Sequence, residues 1–157
     1  MPNVALFPGS FDPITIGHAI MTERALPLFD KIVIGVGTNS QKKYLFTLAE
    51  RTSFIEAAFG NNPKIEVLHY EELTVNFARR VGAKFLLRGI RTSADFEFER
   101  TIAQLNHTLA PEIETVFFAA LPQHSHISST IVREVLVNKG DVSSFLPPKV
   151  WEMLQQK

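Results

Sequence analysis

"NVALFPGSFDPITIGHAIMTERALPLFDKIVIGVG", residues 3–37, contains the change of hydrophobic period on which the fold turns. Asn3–Phe7 and Lys31–Gly37 are short apolar runs of the kind that form buried strands. Between them His18–Phe29 has a helical pattern, with Pro27 placed to end or kink it near its last turn. The linking segment Pro8–His18 gathers Gly9, Ser10, Asp12, Thr15, Gly17 and His18 into one strand-end loop. A strand, a loop rich in turn-formers and small polar groups, a helix and a second strand make the unit from which parallel sheets are built.

The same alternation runs through the rest of the chain. Residues 64–70, 83–89 and 114–121 read as strands, and 47–60, 71–82, 93–109, 129–140 and 148–156 read as helices. Thr47 and Glu50 fit a capping box and Gly60 a helix stop. On the long helix Ala94, Phe98, Ile102, Leu105 and Leu109 recur at helical spacing and predict a core-facing stripe. The pattern predicts an α/β fold: a Rossmann-like, doubly wound, parallel five-stranded sheet with helices on both faces, plus C-terminal helices. No repeat, low-complexity run or linker divides it, so one domain over 1–157 is expected.

Composition narrows the function classes. At 45% hydrophobic and 20% charged residues the chain resembles an ordinary globular protein. Sixteen Lys and Arg balance sixteen Asp and Glu, which argues against a general binder of nucleic acid or anionic membrane but leaves room for a local basic pocket. Without cysteine there is no disulfide framework, thiolate nucleophile or cysteine-based zinc site. Met1-Pro2-Asn3 lacks a basic leader region, "VALF" is too short for a signal core, and no apolar run approaches ~20 residues. A cytoplasmic protein is expected.

In a parallel sheet of this kind ligands bind beyond the carboxyl ends of the strands. The residues following the strands are therefore the candidate site: the opening loop, then Lys42 and Lys43, then "RGIRTSADFEFE" (88–99), then "PQHSHISSTIVR" (122–133). They bring Lys42, Arg88, Arg91, His18 and the hydroxyls of Ser128, Ser129 and Thr130 to one rim of a chain with no net charge, which describes an anion trap. Helix starts near Gly17 and at "ISST" would add free N–H groups. Each element alone has a plainer reading. His18 could cap or pack, the lysines could be a solvated loop, and Arg88 could pair with Glu99 or Asp95. "ISST" could be only a helix start. His69, His124 and His126 lack a helical metal spacing, and Ser10 and Ser125 lack base partners for a hydrolytic triad. Neither the G-x-x-x-x-G-K-[ST] nor the G-x-G-x-x-G phosphate motif is present.

"GSFDPITIGH" resembles the T/H-x-G-H nucleotidyltransferase signature, here Thr15-Ile16-Gly17-His18, and "ISSTIVR" (127–133) resembles the second signature of that superfamily. Together with "KKYLFTLAER" (42–51), "NFARRVGAKFLLRGIRTSADFEFE" (76–99) and "GDVSSFLPPKV" (140–150), in that order, the chain resembles the phosphopantetheine adenylyltransferase family of coenzyme A synthesis. The resemblance implies transfer of AMP from ATP to 4′-phosphopantetheine, with magnesium held mainly by the ATP phosphates and a homohexameric assembly. It implies His18 as the group that stabilises the transition state, and Ser10, Lys42, Thr74 and Arg88 as acceptor-binding residues. ATP binding falls by the same resemblance to Ser10, Phe11, His18, Gly89, Ile90, Arg91, Glu99, His124, Ser125, His126, Ile127, Ser128, Ser129 and Thr130. The chain departs from the family's commoner residues at Ser10 (threonine), Ile16 (asparagine), Phe98 (tyrosine) and His124 (an aromatic). Two other readings stay open on the residues alone: a related nucleotidyltransferase with another phosphate acceptor, and a nucleotide-sensing module without turnover.

Overall fold

The computed structural model describes the whole chain, Met1–Lys157. Five strands, β1 (Val4–Gly9), β2 (Lys31–Gly37), β3 (Ile65–Tyr70), β4 (Phe85–Ile90) and β5 (Glu114–Ala119), form one sheet in the order β3-β2-β1-β4-β5. Every neighbouring pair is parallel. The helices are α1 (Ile16–Ala25), α2 (Leu48–Phe59), α3 (Thr74–Arg80), α4 (Ser93–Leu109), α5 (Ser129–Val137) and α6 (Pro148–Gln155). The chain starts at the middle strand, winds to one edge through β2 and β3, and returns to the other side of β1 for β4 and β5. The strand order therefore reverses between β1 and β4, and a crevice opens there at the carboxyl ends.

The period-2 alternation of the strands sorts the core into two layers. Ala5, Phe7, Ile32, Ile34 and Val36 face α1, α2, α5 and α6, where Met21, Phe54, Ile55, Val132 and Val150 meet them. Val4, Leu6 and Val33 face the other way, toward Val75, Phe77 and Ala78 of α3. The doubly wound expectation holds on both faces. Helix α1 ends where Pro27 requires, its last turn tightening to a 3-10 turn over Leu26–Leu28. Thr47 and Glu50 form the expected capping box of α2, and Gly60 follows it at φ +61°.

The α4 stripe is the exception. Glu99 is the one fully buried residue on that helix, while Phe98, Leu105 and Leu109 are 66%, 54% and 45% exposed. The periodicity gives the helix correctly but not what covers its apolar face. Only part of α4 lies against β4 and β5; Phe98, Ile102 and Ala103 line an open cavity instead of a packed layer.

Gly35, in the middle of β2, is fixed by packing. A Cβ there would stand 2.8 Å from Leu6 Cδ1, 2.9 Å from Phe77 Cε2 and 3.1 Å from Tyr70 Cε1. The Tyr70 and Phe77 rings stack with centroids 4.4 Å apart, so neither ring has an easy retreat. Gly35→Ala is expected to lose ~1–3 kcal/mol by overpacking, read as a lower urea midpoint at unchanged slope. An unshifted midpoint would show that this layer yields freely.

Candidate active site

The loop between β1 and α1 is held in place from several sides. Phe11 sits at φ 47°, a conformation uncommon for a residue with a side chain, and its ring is buried. Gly9 makes room for it, since a Cβ at Gly9 would approach the Phe11 ring to 3.1 Å. Asp12 is buried, and its two carboxylate oxygens accept the backbone N–H groups of Leu45 (2.8 Å) and Phe46 (2.9 Å). Its carbonyl accepts Arg133 Nη1 at 2.9 Å, the Pro13 carbonyl accepts the Ser129 hydroxyl at 2.8 Å, and Ile16 N–H donates to the Phe145 carbonyl at 2.8 Å. The loop is thus fastened to the start of α2, to α5 and to the segment before α6.

Thr15 caps α1, and His18 takes the third position of its first turn in a capping box. The Thr15 N–H donates to His18 Nδ1 at 2.9 Å, which makes Nδ1 the acceptor and leaves the ring hydrogen on Nε2. No protein acceptor takes that Nε2–H. The ring lies 5.0 Å from Phe11 and 5.9 Å from Phe7, centroid to centroid. Burial against these rings, helped by the positive charges of Arg88 and Arg91, lowers the His18 pKa from 6.5 to about 4. Near neutral pH it is an uncharged, oriented hydrogen-bond donor. With Nδ1 already engaged it has no free lone pair with which to act as a base.

Two cavities meet beside this loop. The smaller, about 340 Å³, is lined by His18, Gly17, Phe11, Gly89, Arg91, His124, Ile127, Ser128, Ser129, Thr130 and Arg133 among others. The larger, about 830 Å³, runs from the same sheet edge toward α3 and α4, past Tyr44, Tyr70, Thr74, Ile102 and Asn106. Pro8, Gly9, Ser10, Lys42, Arg88, Phe98 and Glu99 belong to both linings and form the boundary. Helices α1 and α5 both begin at the smaller cavity, so their unpaired N–H groups add partial positive charge to that of the arginines.

The cations are aimed by partners. Arg88 Nε and Nη2 fork onto Glu99 at 3.0 and 2.6 Å, and its Nη1 donates to the Pro8 carbonyl at 2.6 Å. Arg91 pairs with Asp95 at 3.2 Å and reaches the Ile127 carbonyl at 3.3 Å. Lys42 Nζ donates to Ser10 Oγ at 3.0 Å. Thr74 begins α3, its hydroxyl 3.0 Å from Tyr70 Oη. The ion-pair reading of Arg88 and its placement on the cavity wall are therefore both true. Asp95 and Glu99, like charges one helical turn apart, are each matched to an arginine.

Three candidate residues stand outside both linings. Ile90 ends β4 with its carbonyl taken by Ala120 N–H at 2.8 Å. Ser125 donates its hydroxyl to the Pro122 carbonyl at 3.1 Å, and His126 stands edge-on to Phe145 at 6.0 Å. Conversely, Tyr44, Tyr70, Asn106 and Arg133 line the cavities without having been singled out from the sequence. Tyr70 was within reach of the strand-end rule, being the last residue of β3, and Arg133 lies one turn after Thr130.

The chain matches the family model described as cytidylyltransferase-like over residues 6–135. A phosphopantetheine adenylyltransferase of Flavobacterium psychrophilum is 48% identical, covering 93% of this chain and 96% of the relative. One of Flavobacterium johnsoniae is 51% identical over 93% and 95%, and one of Lachnoclostridium phytofermentans is 44% identical over 99% and 95%. Among solved structures, a bifunctional NMN adenylyltransferase/ADP ribose pyrophosphatase from Francisella tularensis superposes with a TM-score of 0.77. The match covers 99% of this chain and 49% of that one, at 15% identity, so it speaks for the fold alone. Over nearly its full length, then, the chain belongs to the phosphopantetheine adenylyltransferases, within the cytidylyltransferase-like family.

Proposed function

We propose that this protein transfers AMP from ATP to 4′-phosphopantetheine, giving dephospho-coenzyme A and pyrophosphate, and that residues 1–157 act as one unit in doing so. The observation that carries the reading is the boundary between the two cavities, where Ser10, Lys42 and Arg88 face both sides. ATP is assigned to the smaller cavity, with His18, Arg91, His124 and the Ile127–Thr130 segment around it. Phe11, Gly89 and Glu99 frame that cavity, and Ile90, Ser125 and His126 adjoin lining residues in the chain without lining it themselves. The acceptor is assigned to the larger cavity, its phosphate at Lys42 and Arg88 and its chain running toward Thr74.

An oxygen of the acceptor phosphate attacks the α-phosphorus. A bond from that oxygen to phosphorus forms, the bond to the β-phosphate bridging oxygen breaks, and pyrophosphate leaves with the electron pair. The nucleophile is already an anion near neutral pH, phosphate monoesters having a second pKa of ~6, so no base has to remove a proton. The work left to the protein is to bring two anions together and to stabilise charge on the α-phosphoryl oxygens. The cation pair Lys42 and Arg88 suits the first task, and the Nε2–H of His18 the second.

Magnesium is implied by the resemblance. Carboxylates near the smaller cavity do not make a protein cage for it: Asp12 is taken up by two N–H groups, Asp95 by Arg91 and Glu99 by Arg88. We assign the ion to the nucleotide's phosphate oxygens, as its complex with ATP. Self-assembly is supported by Leu105 and Leu109, 54% and 45% exposed on α4. The number six comes from the resemblance. Light scattering should give six times the chain mass, and a single-chain mass would remove the proposal. An ATP-consuming reaction fits the cytoplasm.

The deciding assay is pyrophosphate release from ATP with 4′-phosphopantetheine against other phosphate acceptors. Release with another acceptor alone, or ATP binding without release, would overturn the reading. His18→Ala is expected to lower kcat ~10²–10³-fold while leaving substrate Kd little changed, as for loss of one transition-state donor. The pKa of His18 gives a second expectation. Folding lowers it from 6.5 to about 4, so below pH 6.5 the unfolded chain binds a proton that the folded chain refuses. The contribution is intact above pH 6.5 and is lost as pH falls toward about 4. His18→Gln should flatten the acid limb of stability against pH in the ligand-free protein, and an unchanged limb would place the cause elsewhere.

A further inference from the structure

An arginine lies where the packing calls for an apolar side chain. Arg51 is in the second turn of α2, on the face shared by Phe54 and Ile55, and is 1% exposed. A buried guanidinium is costly unless it is used, and an apolar residue of similar volume commonly serves stability as well or better. Arg51 Nε has no partner at all. What the side chain does is directed toward the cavity boundary. Nη1 donates to the Ser10 carbonyl at 2.8 Å and to the Gly37 carbonyl at 3.2 Å, joining the loop after β1 to the end of β2. The guanidinium carbon stands 4.0 Å from the Tyr44 ring centroid. On the same ring Lys42 Nζ stands at 5.5 Å, while also donating to Ser10 Oγ at 3.0 Å. The Tyr44 hydroxyl in turn accepts Asn39 N–H at 2.9 Å, fixing the ring within its loop.

These contacts close a circuit. Arg51 holds the backbone of Ser10 and one surface of Tyr44; Ser10 and Tyr44 together locate the Lys42 ammonium. Lysine has a flexible stem and a point charge, so its position must be set by its neighbours. We propose that Arg51 is a positioning residue for the acceptor phosphate: it touches neither substrate and acts by fixing Ser10 and Tyr44, which aim Lys42. The proposal rests on the assignment of Lys42 to the acceptor phosphate and adds to it a residue buried behind the cavity wall.

Steady-state kinetics of the full-length protein, with ATP and 4′-phosphopantetheine varied separately, test it. Arg51→Lys keeps a cation but loses the planar face that lies over Tyr44. It is expected to lower kcat/KM for the acceptor at least ~10-fold with KM for ATP within ~2-fold. Ile55→Ala, on the same buried face, is the stability control, expected to lower Tm comparably while leaving the acceptor kcat/KM within ~2-fold. Tyr44→Leu removes the shared ring without touching Arg51, so it applies even if Arg51→Lys does not fold. It should produce the same acceptor-selective loss, and Tyr44→Phe should restore most of it. Lys42→Ala separates this proposal from the reading beneath it. If Lys42→Ala leaves acceptor kinetics unchanged, the assignment of Lys42 fails. If Lys42→Ala impairs the acceptor but Arg51→Lys and Tyr44→Leu do not, or impair ATP equally, or do no more than Ile55→Ala, Arg51 has no positioning role.

Discussion

The buried carboxylate of Asp12 is the contact on which the candidate site depends. It spends both oxygens on the N–H groups of Leu45 and Phe46, joining the loop after β1 to the segment that leads into α2. Charge-assisted bonds of this kind are stronger than neutral ones, and burial shields them from water and salt. Everything else that converges there is placed by reference to that joint. Lys42 lies just ahead of the Asp12-bound residues, His18 in the first turn of the helix that the loop leads into, and Arg133 reaches in from α5 to the same residue's carbonyl. Three elements distant in sequence thereby share one origin of coordinates.

Around it the charges are held in different ways: Arg88 and Arg91 are paired with carboxylates, Lys42 and Arg133 are held by neutral oxygens, and His18 carries no charge. Arg88 and Arg91 each carry a carboxylate partner that fixes direction and leaves part of the guanidinium for other contacts. The histidine is neutral, because its burial disfavours a charge and protonation would add a third positive one beside the two arginines. For joining two polyanions this is a workable compromise. Cations already held by acids or by neutral oxygens need reorganise little when phosphates arrive.

How much of this could be read from the residues depended on how local each cause was. Strand and helix identities come from short-range periodicity and caps, so β2 over Lys31–Gly37, the start of α2 at Thr47 and the length of α4 were all legible. The location of the site followed from topology, since strand ends in a doubly wound sheet lie on one edge. The partners of each charge were less accessible. Both Asp95 and Glu99 lie within sequence reach of Arg88, and only the turn of α4 against β4 selects Glu99. The α4 stripe misled because a hydrophobic period states that a face is apolar without stating what covers it; here Phe98 and Ile102 meet a cavity. Arg51 was invisible for the opposite reason. It looks like an ordinary charged residue of a helix until the buried Phe54 and Ile55 beside it show that it points inward.

The loop's fastenings have one property in common that bears on how such a site can change over time. Arg51 binds the carbonyls of Ser10 and Gly37, Arg88 that of Pro8, Arg133 that of Asp12, and Ser129 that of Pro13; Asp12 itself takes backbone N–H groups. The recipients are main-chain atoms: carbonyls, which every residue supplies regardless of its side chain, and N–H groups, which every residue but proline supplies. Positions 45 and 46 can therefore drift within the limits of space and hydrophobicity without loosening the scaffold, whereas position 10 must keep a hydroxyl for Lys42, which serine supplies as threonine would. The side chains at the other end of these bonds have no such latitude. Variation should thus accumulate at what is held, and constancy at Asp12, Arg51, Arg88 and Arg133, which do the holding.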